Sequence, residues 1–156
     1  MTLSSRLQQD LQTAIRGRDE LRRDTLRMVI SAAYNQQKQA GRELNDDEMI
    51  SVLTREVKTR RESVDAFSNA GRTDAAAKEQ AEIEIISAYL PAQLAADELH
   101  RLVDESLAES GAESARDMGK VMAVLMPRVR GRADGKQVSA LVAQALARRD
   151  VTGHGH

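Results

Sequence analysis

An all-α protein is the fold class this sequence predicts, and three observations predict it. Apolar residues recur at helical spacing over almost the whole chain. Of its 156 residues 30% are charged and only 2% aromatic, so the core must be built from Leu, Ile, Val, Ala and Met, and strand-favouring runs are scarce. Glycine stops and capping residues separate the periodic stretches. A chain of this length is about one domain's worth of protein, with room for a division into two small helical units.

Leu3, Leu7, Leu11 and Ile15 mark a first helix that breaks near Gly17. Leu26, Val29, Ile30 and Ala33 mark a second that runs to Gly41, where glycine takes the left-handed conformation without a Cβ clash. Asn45 and Glu48 have capping-box spacing and open a third helix through Ile50, Leu53, Val57, Val64 and Phe67 to Gly71. A fourth carries Asp74 in its first turn and Ile85, Ile86, Tyr89 and Leu90 on its later face. Pro91, in "YLPAQL", has no amide hydrogen to donate and biases Leu90 away from helix. A hinge is therefore expected at 91–94, between an N-terminal four-helix domain over 1–90 and a smaller three-helix domain over 95–149.

In that second domain Leu99, Leu102, Val103 and Leu107 form a helix that stops near Gly111. Ser114 with Asp117 caps the next, whose face is Met118, Val121, Met122, Leu125 and Val129, and Pro127 is expected to kink or end it. Asp134 with Gln137 caps the last, which continues through Val138, Leu141, Val142, Ala145 and Leu146. The tail over 150–156, with His154 and His156, has no apolar periodicity and is expected to be disordered and inert toward metals.

No cysteine is present, which excludes disulfides, thiolate catalysis and cysteine-ligated zinc. No stretch approaches the roughly 20 apolar residues of a membrane span, so a soluble cytoplasmic protein with no membrane partner is expected. The formal net charge of -1 argues against a general nucleic-acid condenser, and any basic site must be local.

One stretch is locally basic. From Arg116 to Lys136 six cations (Arg116, Lys120, Arg128, Arg130, Arg132 and Lys136) stand against Asp117 and Asp134, a balance of +4 in a chain of -1. Within "VRGRADGKQVS" the glycines Gly131 and Gly135 would let backbone approach a ligand, and amides at the start of the last helix would face an anion. Lys120, Arg128, Arg130, Arg132 and Lys136 are therefore the candidate phosphate- or RNA-binding residues. Asp134 argues for the other reading, a capped turn with a solvated basic face, because its carboxylate already occupies that helix start. The stretch is not a Walker loop, which needs GxxxxGK followed by Ser or Thr. It also lacks the aromatic residues of a stacking platform, so RNA would be read through backbone shape and charge.

Arg60 raises a second question, because it falls on the apolar seam of the third helix. A guanidinium there must snorkel out or reach an acidic partner, and Glu79, Glu82 and Glu84 on the fourth helix are at hand. An inter-helix ion pair is one reading. The other is a second basic site made of Lys58, Arg60, Arg61 and Arg72. Met118, Met122 and Met126 form a stripe that is either core or the lining of a partner-helix groove, and Gly119 with Ala123 would admit another backbone closely. No catalytic set emerges: His100 has no nucleophile partner, and Ser63 lies among Lys58, Arg60 and Arg61 without a glycine- and serine-rich amidase segment. Neither a cofactor nor a dedicated metal site is expected.

The segments "KTRRESVDAFSNAGRTDAAAKEQAEIEIISAYLPAQL" and "DMGKVMAVLMPRVRGRADGKQVS" together resemble the GatB/YqeY family, over nearly the whole chain from Leu26 to Leu146. The first signature falls on Lys58, Arg60, Ser63, Phe67, Gly71, Arg72, Asp74, Glu79, Glu82, Tyr89, Leu90 and Pro91. The second falls on Asp117, Met118, Gly119, Lys120, Met122, Gly131, Asp134, Gly135 and Lys136. The chain departs from the pattern at Ala75 and Ala76, where the family often has leucine, and at Ala95, where a capping Ser or Thr is common. The resemblance implies a helical bundle followed by a three-helix domain similar to the tail of the B subunit of the glutamine-dependent aspartyl/glutamyl-tRNA amidotransferase. It also implies a tRNA-associated module, binding tRNA or another structured RNA. Two alternatives accompany that expectation. One is an accessory part in glutamine-dependent amidotransfer, a carbon-nitrogen ligase activity with glutamine as nitrogen donor; the other is a protein-protein adaptor.

Overall fold

The hydroxyl of Thr2 accepts the amide of Ser5 at 3.1 Å and starts the first helix, α1 (Leu3–Arg16). In the computed structural model, which describes residues 1–153, α2 (Glu20–Ala40), α3 (Asp46–Asn69) and α4 (Thr73–Ser87) follow. Then come α5 (Ala96–Ser110), a single 3-10 turn (Ala115–Asp117), α6 (Met118–Val129) and α7 (Gly135–Gly153). The fold is all-helical, with seven α-helices and no strand among the described residues. The chain divides into two compact units, Met1–Pro91 with α1 to α4 and a second that begins at Ala92 with α5 to α7.

Local chemistry sets the helix ends. Asn45 accepts the amide of Glu48 at 2.9 Å while the Glu48 carboxylate accepts that of Asn45 at 3.1 Å, a reciprocal capping box. Gly41 and Gly111 close α2 and α5 in the left-handed region, with φ of 71° and 69°. Ala95 stands at the start of α5 with no side chain able to cap it. In α1 the inward residue of the last turn is Ala14, 3% exposed, and not Ile15, which is 38% exposed. A spacing of four drifts round the helix, so Ile15 lies about 120° from Leu3 whereas Ala14 lies about 20° from it.

In the first unit Leu7, Leu26, Val29, Leu53, Val57, Ile83 and Ile86 form the core. Two polar clusters are built into it. Arg60 and Glu82 are only 6% and 5% exposed, and Arg60 donates from Nε to Glu82 Oε2 at 3.1 Å and from an η nitrogen to Glu56 Oε2 at 2.8 Å. The other ties the end of α4 to α1: the Tyr89 hydroxyl donates to Asp10 Oδ2 at 2.5 Å, and the Arg6 guanidinium lies 4.8 Å from the centre of the Tyr89 ring. Burial first, and the bond to Asp10 second, push the Tyr89 phenol up to about 12.

The second unit packs Leu99, Val103, Leu107, Val121, Leu125, Val129, Val138, Val142 and Leu146 into its own core. Met118, Met122 and Met126 are partly buried against that core, so the methionine stripe packs inward as core lining. Gly119 is exposed, and a Cβ built there would meet nothing, so it serves no close backbone approach. Pro127 is carried within α6, which ends two residues later at Val129. The helix α7 reaches Gly153, so residues 150–153 are helical where a disordered tail was expected; His154 and His156 lie outside the described residues.

Candidate nucleic-acid interface

The turn between α6 and α7 is shaped before any ligand is considered. Arg130, with φ -56° and ψ 124°, and Gly131, with φ 73°, occupy its central positions, and the Arg132 amide donates to the Val129 carbonyl at 2.8 Å. This is a type II turn, and its third residue must take the left-handed conformation that glycine adopts without strain. Asp134 then accepts the Lys136 amide at 3.0 Å and caps the start of α7. Gly135 is not demanded by conformation, and its missing side chain faces open space. Gly131 and the cap are thus explained by the turn; Gly135 and the surrounding cations are not.

The structure distributes the five candidate cations unevenly. Arg130 and Lys136 are exposed on the turn and on the first residues of α7. Arg128, on the last turn of α6, donates to Glu109 of α5. Lys120 is not part of the cluster: eight residues before Arg128 on the same helix, it lies about 12 Å away along the axis, with its ammonium 3.7 Å from Asp117. The backbone amides of Glu113 and Ser114 hold the Asp117 carboxyl below its ordinary range, which keeps that partner anionic. Lys120 lines an open hollow of about 570 Å³ with Glu113, Asp117, Arg116 and Asp150, where acids outnumber bases and an anion gains nothing.

Arg132 differs from the rest. Its Nε donates to the Ala92 carbonyl at 3.0 Å, and among the described residues its two terminal nitrogens have no partner. The same few residues hold it from the other side, since the Leu94 amide donates to the Arg132 carbonyl at 2.9 Å and the Gln93 side-chain amide donates to the Gly131 carbonyl at 2.9 Å. Residues 92–94, within the hinge expected at 91–94, are thus strapped to the basic turn. Sequence reasoning missed this strap, because bonds to backbone carbonyls some forty residues away leave no residue-type signature, and it missed the ion pair of Arg128 with Glu109, which joins two helices across 19 residues of sequence.

The second basic set does not assemble. Arg60 is turned inward and engaged by Glu56 and Glu82, Arg61 is exposed, and Arg72 stacks on Phe67 with its guanidinium 5.0 Å from the ring centre. Neighbours on a helix diverge by about 100°, so Arg60 points into the core and Arg61 to solvent. Glu79 borders the ion pair, and burial first, then the Glu82 carboxylate, push its carboxyl above the ordinary range. Among the described residues no group of acids and histidines could hold a metal ion, and no helix is long and apolar enough to cross a membrane.

A family model described as Yqey-like protein matches residues 4–146. Three relatives carry the name "Altered inheritance of mitochondria protein 41, mitochondrial". That of Pyrenophora tritici-repentis is 30% identical over 145 residues, covering 90% of this chain and 79% of the relative. That of Eremothecium gossypii is 32% identical over 121 residues, covering 75% of this chain and 66% of the relative. That of Lachancea thermotolerans is 32% identical over 85 residues, about half of this chain and 46% of the relative. These names overturn the cytoplasmic expectation, since every one of the three is mitochondrial by name. That expectation rested on the lack of an apolar span, which bears on membranes and not on compartments.

Proposed function

This chain belongs to the YqeY-like protein family, and from that premise we propose that it is an RNA-associated accessory module whose second unit contacts the phosphate backbone of a structured RNA through the α6–α7 turn. The observation that carries the reading is the set of cations on one short, hydrogen-bonded turn: Arg130, Arg132 and Lys136, flanked by Arg128. Such a set neutralises phosphates without reading bases, so it fixes position and carries little sequence information. The resemblance of the second unit to the amidotransferase tail makes tRNA the first RNA to try. In this reading the three-helix unit meets RNA and the four-helix unit offers a docking surface. The relatives' names bring a mitochondrial setting to the proposal.

Fluorescence anisotropy of a labelled tRNA pool, at low and near-physiological salt with double-stranded DNA as control, tests it. Saturable binding that survives the higher salt and exceeds the DNA signal is expected. Replacing Arg128, Arg130 and Arg132 with alanine should weaken binding and flatten its salt dependence, by about one unit of slope for each phosphate no longer neutralised. Lys120→Ala should leave both unchanged. Binding that is absent, or equal for DNA and lost with salt, refutes the reading and turns the search to protein partners or to an accessory part in glutamine-dependent amidotransfer.

A further inference from the structure

The geometry points to the strap at 92–94 as a positioning element that aims Arg132 at a phosphate, with the uncharged Gln93 as its key residue. This rests on the RNA reading and deepens it. A guanidinium has five donors on a rigid plane. With Nε donating to the Ala92 carbonyl at 3.0 Å, one edge of that plane is fixed and the end-on edge, carrying both terminal nitrogens, is left without a partner among the described residues. That edge matches a phosphate bidentately.

The strap itself is held from two further directions. The Leu94 amide donates to the Arg132 carbonyl at 2.9 Å, and the Gln93 side chain donates to the Gly131 carbonyl at 2.9 Å. Main chain and side chain of residue 132 are therefore both tied to the same three residues. The left-handed Gly131, with φ 73°, turns its carbonyl to where Gln93 reaches it. Arg128, by contrast, would have to leave Glu109 before meeting a ligand. An arginine already immobilised loses less freedom on binding, which is where preorganisation raises affinity.

The test is a double-mutant cycle on Gln93→Ala and Arg132→Ala in the full chain, read by tRNA anisotropy at several salt concentrations. Gln93→Ala alone should weaken binding about three- to tenfold, the scale of one re-mobilised long side chain, with the salt slope unchanged because no charge is removed. In the Arg132→Ala background, where no fork remains to be aimed, Gln93→Ala should change affinity by less than about twofold. Arg132→Lys should keep the salt slope and still lose affinity, because one ammonium cannot both hold the Ala92 carbonyl and fork a phosphate. Thermal melting of each variant separates these effects from unfolding. An unchanged affinity for Gln93→Ala, or an equal loss in both backgrounds, overturns the positioning role while leaving the RNA reading intact. No saturable binding by the unmodified chain refutes the RNA reading itself, and the positioning role with it.

Discussion

Removing one half of the buried ion pair in the first unit should cost far more than removing both. Arg60 and Glu82 are 6% and 5% exposed, with Nε and Oε2 3.1 Å apart. At that separation and an effective dielectric near 20, their attraction is about 5 kcal/mol, set against several kcal/mol for desolvating each ion. Arg60→Met keeps the length of the side chain but leaves the Glu82 carboxylate buried beside Glu79, whose own carboxyl is already pushed upward by burial and by Glu82. A loss of about 3–5 kcal/mol is expected for this variant. In a unit of this size that corresponds to a fall in melting temperature of roughly 15–30 °C. The double variant Arg60→Met, Glu82→Leu removes both charges and fills the same space with apolar atoms, so it should recover most of the loss. Circular dichroism at 222 nm during heating and urea titration measures all of these. A deficit below about 1 kcal/mol for Arg60→Met, or a double variant as unstable as the worse single one, would refute the claim that the pair is desolvated core.

Three further outcomes follow from the same structure. Tyrosinate absorbance should show a step near pH 12 that disappears in Tyr89→Phe, and since the folded phenol is raised, its contribution to stability is full below about pH 10 and lost between 10 and 12; a Tyr89 step near pH 10 contradicts its burial against Asp10. Gly131→Ala, forced to a φ of 73°, should lose about 1–2 kcal/mol in thermal melting, while Gly135→Ala, with open space beside it, should lose nothing; equal losses would contradict the type II turn. Ser106 is fully buried on α5 and its hydroxyl has no hydrogen-bond partner among the described residues, so Ser106→Ala should stabilise the second unit by about 1 kcal/mol, and a destabilised variant would mean that the hydroxyl is satisfied.

What could be read from sequence here is what is local along the chain. Gly41, Gly111 and the Asn45–Glu48 box set helix ends through bonds within a few residues, and the periodicity of Leu53, Val57 and Ile86 marks inward faces, so the helices are legible. Arg60 was legible too, because a cation on an apolar stripe must find an anion, and the fourth helix offered several; that Glu56 shares it shows that its own helix contributes as well. The candidate site was legible only as a charge count. A balance of +4 counts formal charges, whereas a ligand meets the donors that folding leaves unengaged. Lys120 sits beside Asp117, Arg128 is bound to Glu109, and Arg132 is bound, among the described residues, through Nε alone. The last case carries the proposed positioning role, because a bond at Nε orients the plane while the terminal nitrogens stay without a partner among the described residues. Its cause is the carbonyl of Ala92, a group every residue has. In the proposed RNA reading, the hold of residues 92–94 on Arg132 therefore adds orientation to a charge that a count of arginines already registers.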